Sequence, residues 1–342
     1  MAPDTAFGAA RRRALARALG VAAVATTAIF CAASLTAPAA LAQDSWPGKP
    51  VRIVVPFAAG GTTDISARVI ADELTQALKQ TFIVDNKAGA GGNIGAADVA
   101  RSKPDGYTFL MGTPGTQSIN QFLYSSMPYN TAKDFAPVSF VVRVPNVLLI
   151  NPSLKARTLN DFIAEVKANP GAYSYGSPGN GTTGHLSTEL LKSMAGIKVA
   201  HVPYRGSGPM LIDLVGGQIQ MAIDNLPSAM AQIKGGKLLA LGVTSQEKVS
   251  SLPDVPPIAS VVPDYVAESW FVLMAPAKTP PEIVSKLSAV VDRILKKPEV
   301  IARFRELGAE PVGGTPESLG TFIDAETKKW QKVVKDSGAK ID

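Results

Sequence analysis

VRIVVPFAAGGTTD, residues 51–64, joins an apolar run to a glycine-rich turn, and an amphipathic run follows. Residues 51–55 are rich in β-branched side chains and read as a strand. Residues 65–80 carry apolar side chains at helical spacing. The join has a chemistry of its own. Glycines let backbone N–H groups turn outward, and a helix start leaves several of them without an intrahelical partner. The helix dipole adds partial positive charge there, so the spot favours an anion. Thr62 and Thr63 can add hydroxyl donors, whereas Asp64 suits a helix cap. An ordinary strand–helix turn would carry the same signature.

Outward from this join the same rhythm recurs. Strands are expected at 82–85, 107–111, 138–142 and 147–150, with short helices at 96–101 and 159–168. The middle of the chain repeats it, with strands at 173–175, 199–202, 221–223 and 239–243 and helices between them. Prolines 253, 256, 257 and 263 mark 252–263 as a crossing or lid segment. A strand at 270–274 precedes helices at 280–296, 299–307 and 316–337. Thr315 suits the N-cap of the last helix. The pattern predicts an α/β fold with a mostly parallel sheet and helices on both faces. A chain this long splits its core, so two lobes are expected, one of 43–146 plus 270–342 and one of 147–269. Crossings near Asn146 and Trp270 would form the hinge.

YGSPGNGTTGH (175–185) repeats the first join: strand, glycines, hydroxyls, helix. Neither loop contains Lys or Arg, which points to an anion held by backbone and hydroxyl donors. Asp224 and Asn225 follow a strand and open a helix, and Tyr204 ends another strand; each could contact ligand or water. Arg205 could pair a second carboxylate or be a solvated rim charge. KAGAGGNIG (87–95) misses the dinucleotide fingerprint, because its third glycine falls at Gly95 and not at position 94. Ser177, His185 and Asp224 can be assembled on paper into a triad, but Ser177 lacks a G-x-S-x-G elbow. His185 and His201, the two histidines, lack metal-ligand spacing. Neither a catalytic set, a cofactor site nor a metal site is indicated.

The N-terminus bounds the compartment. Arg11, Arg12, Arg13 and Arg17 precede an uncharged run at 18–41 that ends in Ala40-Leu41-Ala42. This reads as a signal peptide, residues 1–42, cleaved before Gln43 for export to the periplasm. The paired arginines leave Sec and twin-arginine export both open. Removing 42 of 342 residues leaves 300. The leader's four arginines and one aspartate go with it, so the formal charge falls from +6 to +3. That near-balance does not suit a nucleic-acid binder. Cys31, the only cysteine, lies in the leader, so the exported chain has no thiol chemistry.

Taken together, VPFAAGGTTD (55–64), NKAGAGGNIGA (86–96), PDGYTFLMGT (104–113), YGSPGNGTTGHL (175–186), HVPYRGSGP (201–209), DNLPSA (224–229) and LGAEPVGGTPE (307–317) resemble the Bug-type, or TctC-like, receptors of tripartite tricarboxylate transporters. The resemblance implies a two-lobed type II periplasmic-binding-protein fold that captures a small organic carboxylate. It implies contacts from Phe57, Ala58, Gly60, Gly61, Thr62, Thr63 and Asp64 in one loop. The other loop would supply Ser177, Asn180, Gly181, Thr182, Thr183 and His185, with ordered waters bridging ligand to the second lobe. The implied partners are the membrane subunits of such a transporter, with the receptor itself a monomer. A ligand sensor feeding a two-component system is the alternative. Arg205 stands where Lys is common, and Ile223 where Phe is common.

Overall fold

The computed structural model describes residues 46–337, 340 and 341; the expected signal peptide and its cleavage site lie outside them. β1 (Val51–Val55) leads into α1 (Thr62–Leu78), β2 (Phe82–Asn86), α2 (Asn93–Ala100) and β3 (Thr108–Gly112). A π-helical turn, Gly115–Ile119, and the short α3 (Asn120–Leu123) precede β4 (Phe135–Ile150). Then come α4 (Leu159–Ala168), β5 (Ser174–Ser177), α5 (Thr183–Ala195), β6 (Ala200–Pro203), α6 (Ser207–Val215), β7 (Met221–Asn225), α7 (Leu226–Lys234) and β8 (Leu239–Val243). β9 (Glu268–Pro276), α8 (Pro281–Leu295), α9 (Pro298–Glu306), β10 (Glu310–Pro311) and α10 (Pro316–Ser337) complete the chain.

The strands run in the order β2-β1-β3-β9-β4-β7-β5-β6, with β8 and β10 also on β4. Among the described residues, β1 pairs in parallel with β2 and β3, and β5 with β6 and β7. Every pairing of β4 and β9 is antiparallel. The expectation of a mostly parallel sheet therefore holds only within each βαβ group; the strands that join the groups run the other way.

Residues 138–142 and 147–150 also form one strand, not two. Pro145 and Asn146 suggest a break, but β4 continues through them and exchanges partners. It pairs with β9 up to Pro145 and with β7 from Asn146. Bulges near Pro137 and Phe140 accommodate the bend.

Distinct sets of side chains fill the core on each side of that exchange. Ile53, Val55, Phe109, Val141 and Phe271 pack with Ile70 and Leu74 of α1. α8 adds Val284, Leu287, Val291 and Ile294, spaced three and four apart, so one helix stripe faces the sheet. Beyond Asn146, Leu148, Tyr175, Ile223 and Phe162 form one cluster, and Leu149, Met210, Ala222 and Leu226 another. The proline-rich 252–263 segment is not a lid. Ile258 is fully buried, and the Val243 N–H donates to Pro256 O, so the segment lies along β8. Caps set the helix ends: Thr158 and Asp161 form a capping box at α4. Thr315 and Ser318 exchange side chain–backbone hydrogen bonds at α10.

Candidate functional site

Thr62 and Thr63, expected in the loop, are the first two residues of α1, with Gly61 as its N-cap. α5 likewise begins at Thr183, one residue after Thr182. The two joins converge on one cavity. Its walls include Phe57, Gly61, Thr62, Thr63, Thr182, Thr183 and Asn225 from the expected set. Thr113, Pro114, Gly115, Pro178, Ser207, Ser269 and Phe271 complete the lining. The starts of α1, the π-helical turn, α5, α6 and α7 thus face one space. None of the described residues lining it is charged. Its volume is about 30 Å³, room for about two waters. An organic acid of several carbons enters only if the walls part.

The remaining expected residues stand behind or beside this space. Ala58 and Gly60 pack against the 206–208 turn. The Ala58 N–H donates to Arg205 O at 3.0 Å, and a Cβ on Gly208 would come within 2.5 Å of Ala59 O. Asp64 faces its own loop. It accepts from the Gly60 N–H and from Arg68, each at 3.0 Å, and Asn86 also donates to it. Burial opposes its charge, but Arg68, Gly60 and Asn86 outweigh burial and hold its carboxyl below the usual range.

Ser177, Gly181 and His185 form a scaffold under the second join. The Ser177 hydroxyl lies 2.7 Å from His201 Nε2, and the Gly181 N–H donates to His185 Nδ1 at 3.2 Å. The His185 ring stacks on His201, which stacks on Tyr175, with centroids 4.4 and 4.6 Å apart. Burial, then the neighbouring His185, hold His201 down to about 4; burial also lowers His185. Ser177, His185 and Asp224 do not assemble into a triad, because Asp224 bonds Ser207 and Ser228 and neither histidine. Asn180 uses its backbone carbonyl to accept from Tyr124 OH at 3.4 Å. Tyr204 points away, its hydroxyl donating to Asp213 at 2.7 Å.

Asp224 is fully buried, and burial pushes its carboxyl up to about 6 against its hydrogen bonds to Ser228, Ser207 and the Asn225 backbone. Beside the cavity lies a wider recess of about 290 Å³, which shares Phe57 and Pro178 with it. The glycine-rich 88–92 stretch, Tyr204 and Arg205 line it. Ala90 (φ 47°), Gly91 (φ 60°) and Gly92 (φ 93°) are left-handed, so this loop shapes the rim with its backbone.

Sequence reasoning missed Thr113–Gly115, although Thr-Pro-Gly after a strand has the same grammar as the two chosen joins. It also passed over Ser207, one turn beyond the chosen Tyr204. Ser269 lies inside a strand and gives no local signal.

The residues 66–339 match the model of the tripartite tricarboxylate transporter family receptor, TctC. Protein BugT of Bordetella pertussis is 39% identical over 321 residues, 93% of this chain and 98% of its own. A solved R. palustris protein, Rpa4515 with adipate, is 43% identical with a TM-score of 0.85, covering 86% of this chain and all of its own. MatC of Rhodopseudomonas palustris with bound malate is 33% identical with a TM-score of 0.80, covering 84% of this chain and all of its own. The chain belongs to the TctC/Bug family of periplasmic solute-binding receptors, and its α/β fold is theirs. Its relatives bind solutes and are not enzymes.

Proposed function

We propose that the chain captures a small organic carboxylate in the periplasm and delivers it to the membrane subunits of a tripartite tricarboxylate-type transporter. Convergence of helix starts on a cavity with no charged lining residue carries this reading. Such a wall offers backbone N–H groups and the Thr62 hydroxyl to an anion, and no fixed cation to hold it permanently. Adipate and malate on two relatives support a carboxylate ligand, and the class we propose is a di- or tricarboxylate, aromatic acid or acidic amino acid. One carboxylate would sit between the 57–64 and 177–185 loops.

The exchange of β4 partners at Asn146 supports two lobes, 43–146 plus 270–342 and 147–269, that part to admit the acid and close over it. Export would remove residues 1–42, and the receptor would act as a monomer. None of the described helices is long and apolar enough to cross a membrane, which fits a receptor that meets its transporter through a surface. Mass spectrometry of periplasmic protein should release a stoichiometric organic acid, and that acid should rebind in calorimetry. A preparation that carries no acid and binds none from a carboxylate panel would overturn the reading.

A further inference from the structure

The hydroxyls around the cavity are not equivalent, and their protons can be traced. Each has one proton to donate and lone pairs to accept. Ser207 Oγ lies 2.8 Å from Asp224 Oδ1. An ionised carboxylate only accepts, so the Ser207 proton is committed to it. What Ser207 can still offer the cavity is a lone pair.

Thr183 reaches the same state through a longer chain. Asn146 Nδ2 faces the carbonyl of Ala267 at 3.2 Å, which fixes the amide's orientation, since two oxygens would repel there. Asn146 Oδ1 therefore accepts, and Ser269 donates to it at 3.1 Å. Ser269 has no second proton, so in its short contact with Thr183 the threonine is the donor. The Thr183 hydroxyl then also presents lone pairs to the cavity. Asn225 adds to this side: its side-chain oxygen is buried and accepts nothing from the described protein.

On the opposite wall the Thr62 hydroxyl has the reverse polarity. Thr62 Oγ1 accepts from the Ser228 N–H at 3.1 Å, which leaves its own proton free. The first-turn N–H groups of α1 point the same way.

We infer that this receptor selects acids with a hydrogen-bond donor, a hydroxyl or ammonium, on the chain beside the carboxylate: the α1 wall holds the anion while Ser207 and Thr183 accept from the donor. The inference rests on the carboxylate reading and narrows it. An unsubstituted acid would leave buried acceptors facing a methylene, and unmet buried acceptors are what discriminate strongly.

Titration calorimetry at pH 8 with three matched trios tests this. Succinate, malate and aspartate differ only in hydrogen, hydroxyl or ammonium at one carbon. Adipate with its 2-hydroxy and 2-amino forms, and phenylacetate with mandelate and phenylglycine, extend the set. In whichever trio binds, a donor-bearing member should bind about tenfold or more tightly than the unsubstituted acid. The hydroxyl and ammonium arms tell which donor is read. Ser207→Ala and Thr183→Val should shrink that ratio toward one, the loss falling on the donor-bearing acid. Equal or tighter binding of the unsubstituted acid, or a ratio that survives both substitutions, overturns the inference and leaves the carboxylate reading intact. Failure of every acid to bind overturns both.

Discussion

The Ser228 backbone N–H donates to the Thr62 hydroxyl at 3.1 Å, between residues 166 positions apart. Ser228 lies in the first turn of α7, where N–H groups have no intrahelical partner, so a residue of α1 caps a helix across the cavity. Parting the walls would break this bond. Thr62→Val removes both the acceptor and the hydroxyl offered to the anion. It should weaken carboxylate binding about tenfold or more in calorimetry. Thermal unfolding should change little, since water replaces the bond in an open form. Unchanged affinity would mean that this contact does not form with the bound state.

Gly208 provides a steric test of closure. It lies within α6, where alanine is a better helix former than glycine, yet a Cβ there would meet Ala59 O at 2.5 Å. Gly208→Ala should therefore fold normally and bind at least tenfold more weakly. Small-angle scattering should show it remaining expanded at ligand concentrations that compact the wild type. Wild-type affinity would place the closing contact elsewhere.

Thr182 lines the cavity, but its hydroxyl is spent on its own loop. It donates to Gly179 O at 2.7 Å and accepts from the His185 N–H at 3.4 Å as the N-cap of α5. Thr182→Ala should cost about 1 kcal/mol of stability, a fall of roughly 2–4 °C in Tm. Affinity should fall less than in Thr62→Val. The reverse ranking in paired melting and titration data would contradict this division of roles.

The two joins that meet at the cavity were legible because strand, glycine and helix follow each other locally. The continuity of β4 was not, since Pro145 reads as a break until β9 and β7 are seen to share the strand. Nor was the commitment of the Ser207 proton, which depends on Asp224, 17 residues away. Thr183 and Ser269 are 86 residues apart, and no local pattern could pair them.

Opposed pH effects are expected from His201 and Asp224. His201 is held at about 4 in the fold against 6.5 ordinarily, so its contribution is complete above pH 6.5 and is lost as pH falls toward 4. Asp224 is raised from 3.8 to about 6, so the fold is favoured below 3.8 and loses stability as pH rises through 6. Each effect is at most a few kcal/mol, and smaller for the partly exposed His201, which solvent screens. Relative to wild type, His201→Phe should gain Tm as pH falls from 6.5 to 4. Asp224→Asn should gain it as pH rises from 4 to 7. Melting curves of both variants that track the wild type at a constant offset would contradict these assignments.

In the proposed function an anion sits at the start of α1. Thr63→Asp tests it most directly, because an acidic residue in the first helical turn suits the helix dipole, which offsets the cost of a charge at this buried position. It also places a like charge where the carboxylate must lie. Calorimetric titration with the acid released from the purified receptor should show wild-type binding and no detectable binding to Thr63→Asp, which still melts cooperatively. Equal affinity in the two proteins would show that the anion is held elsewhere.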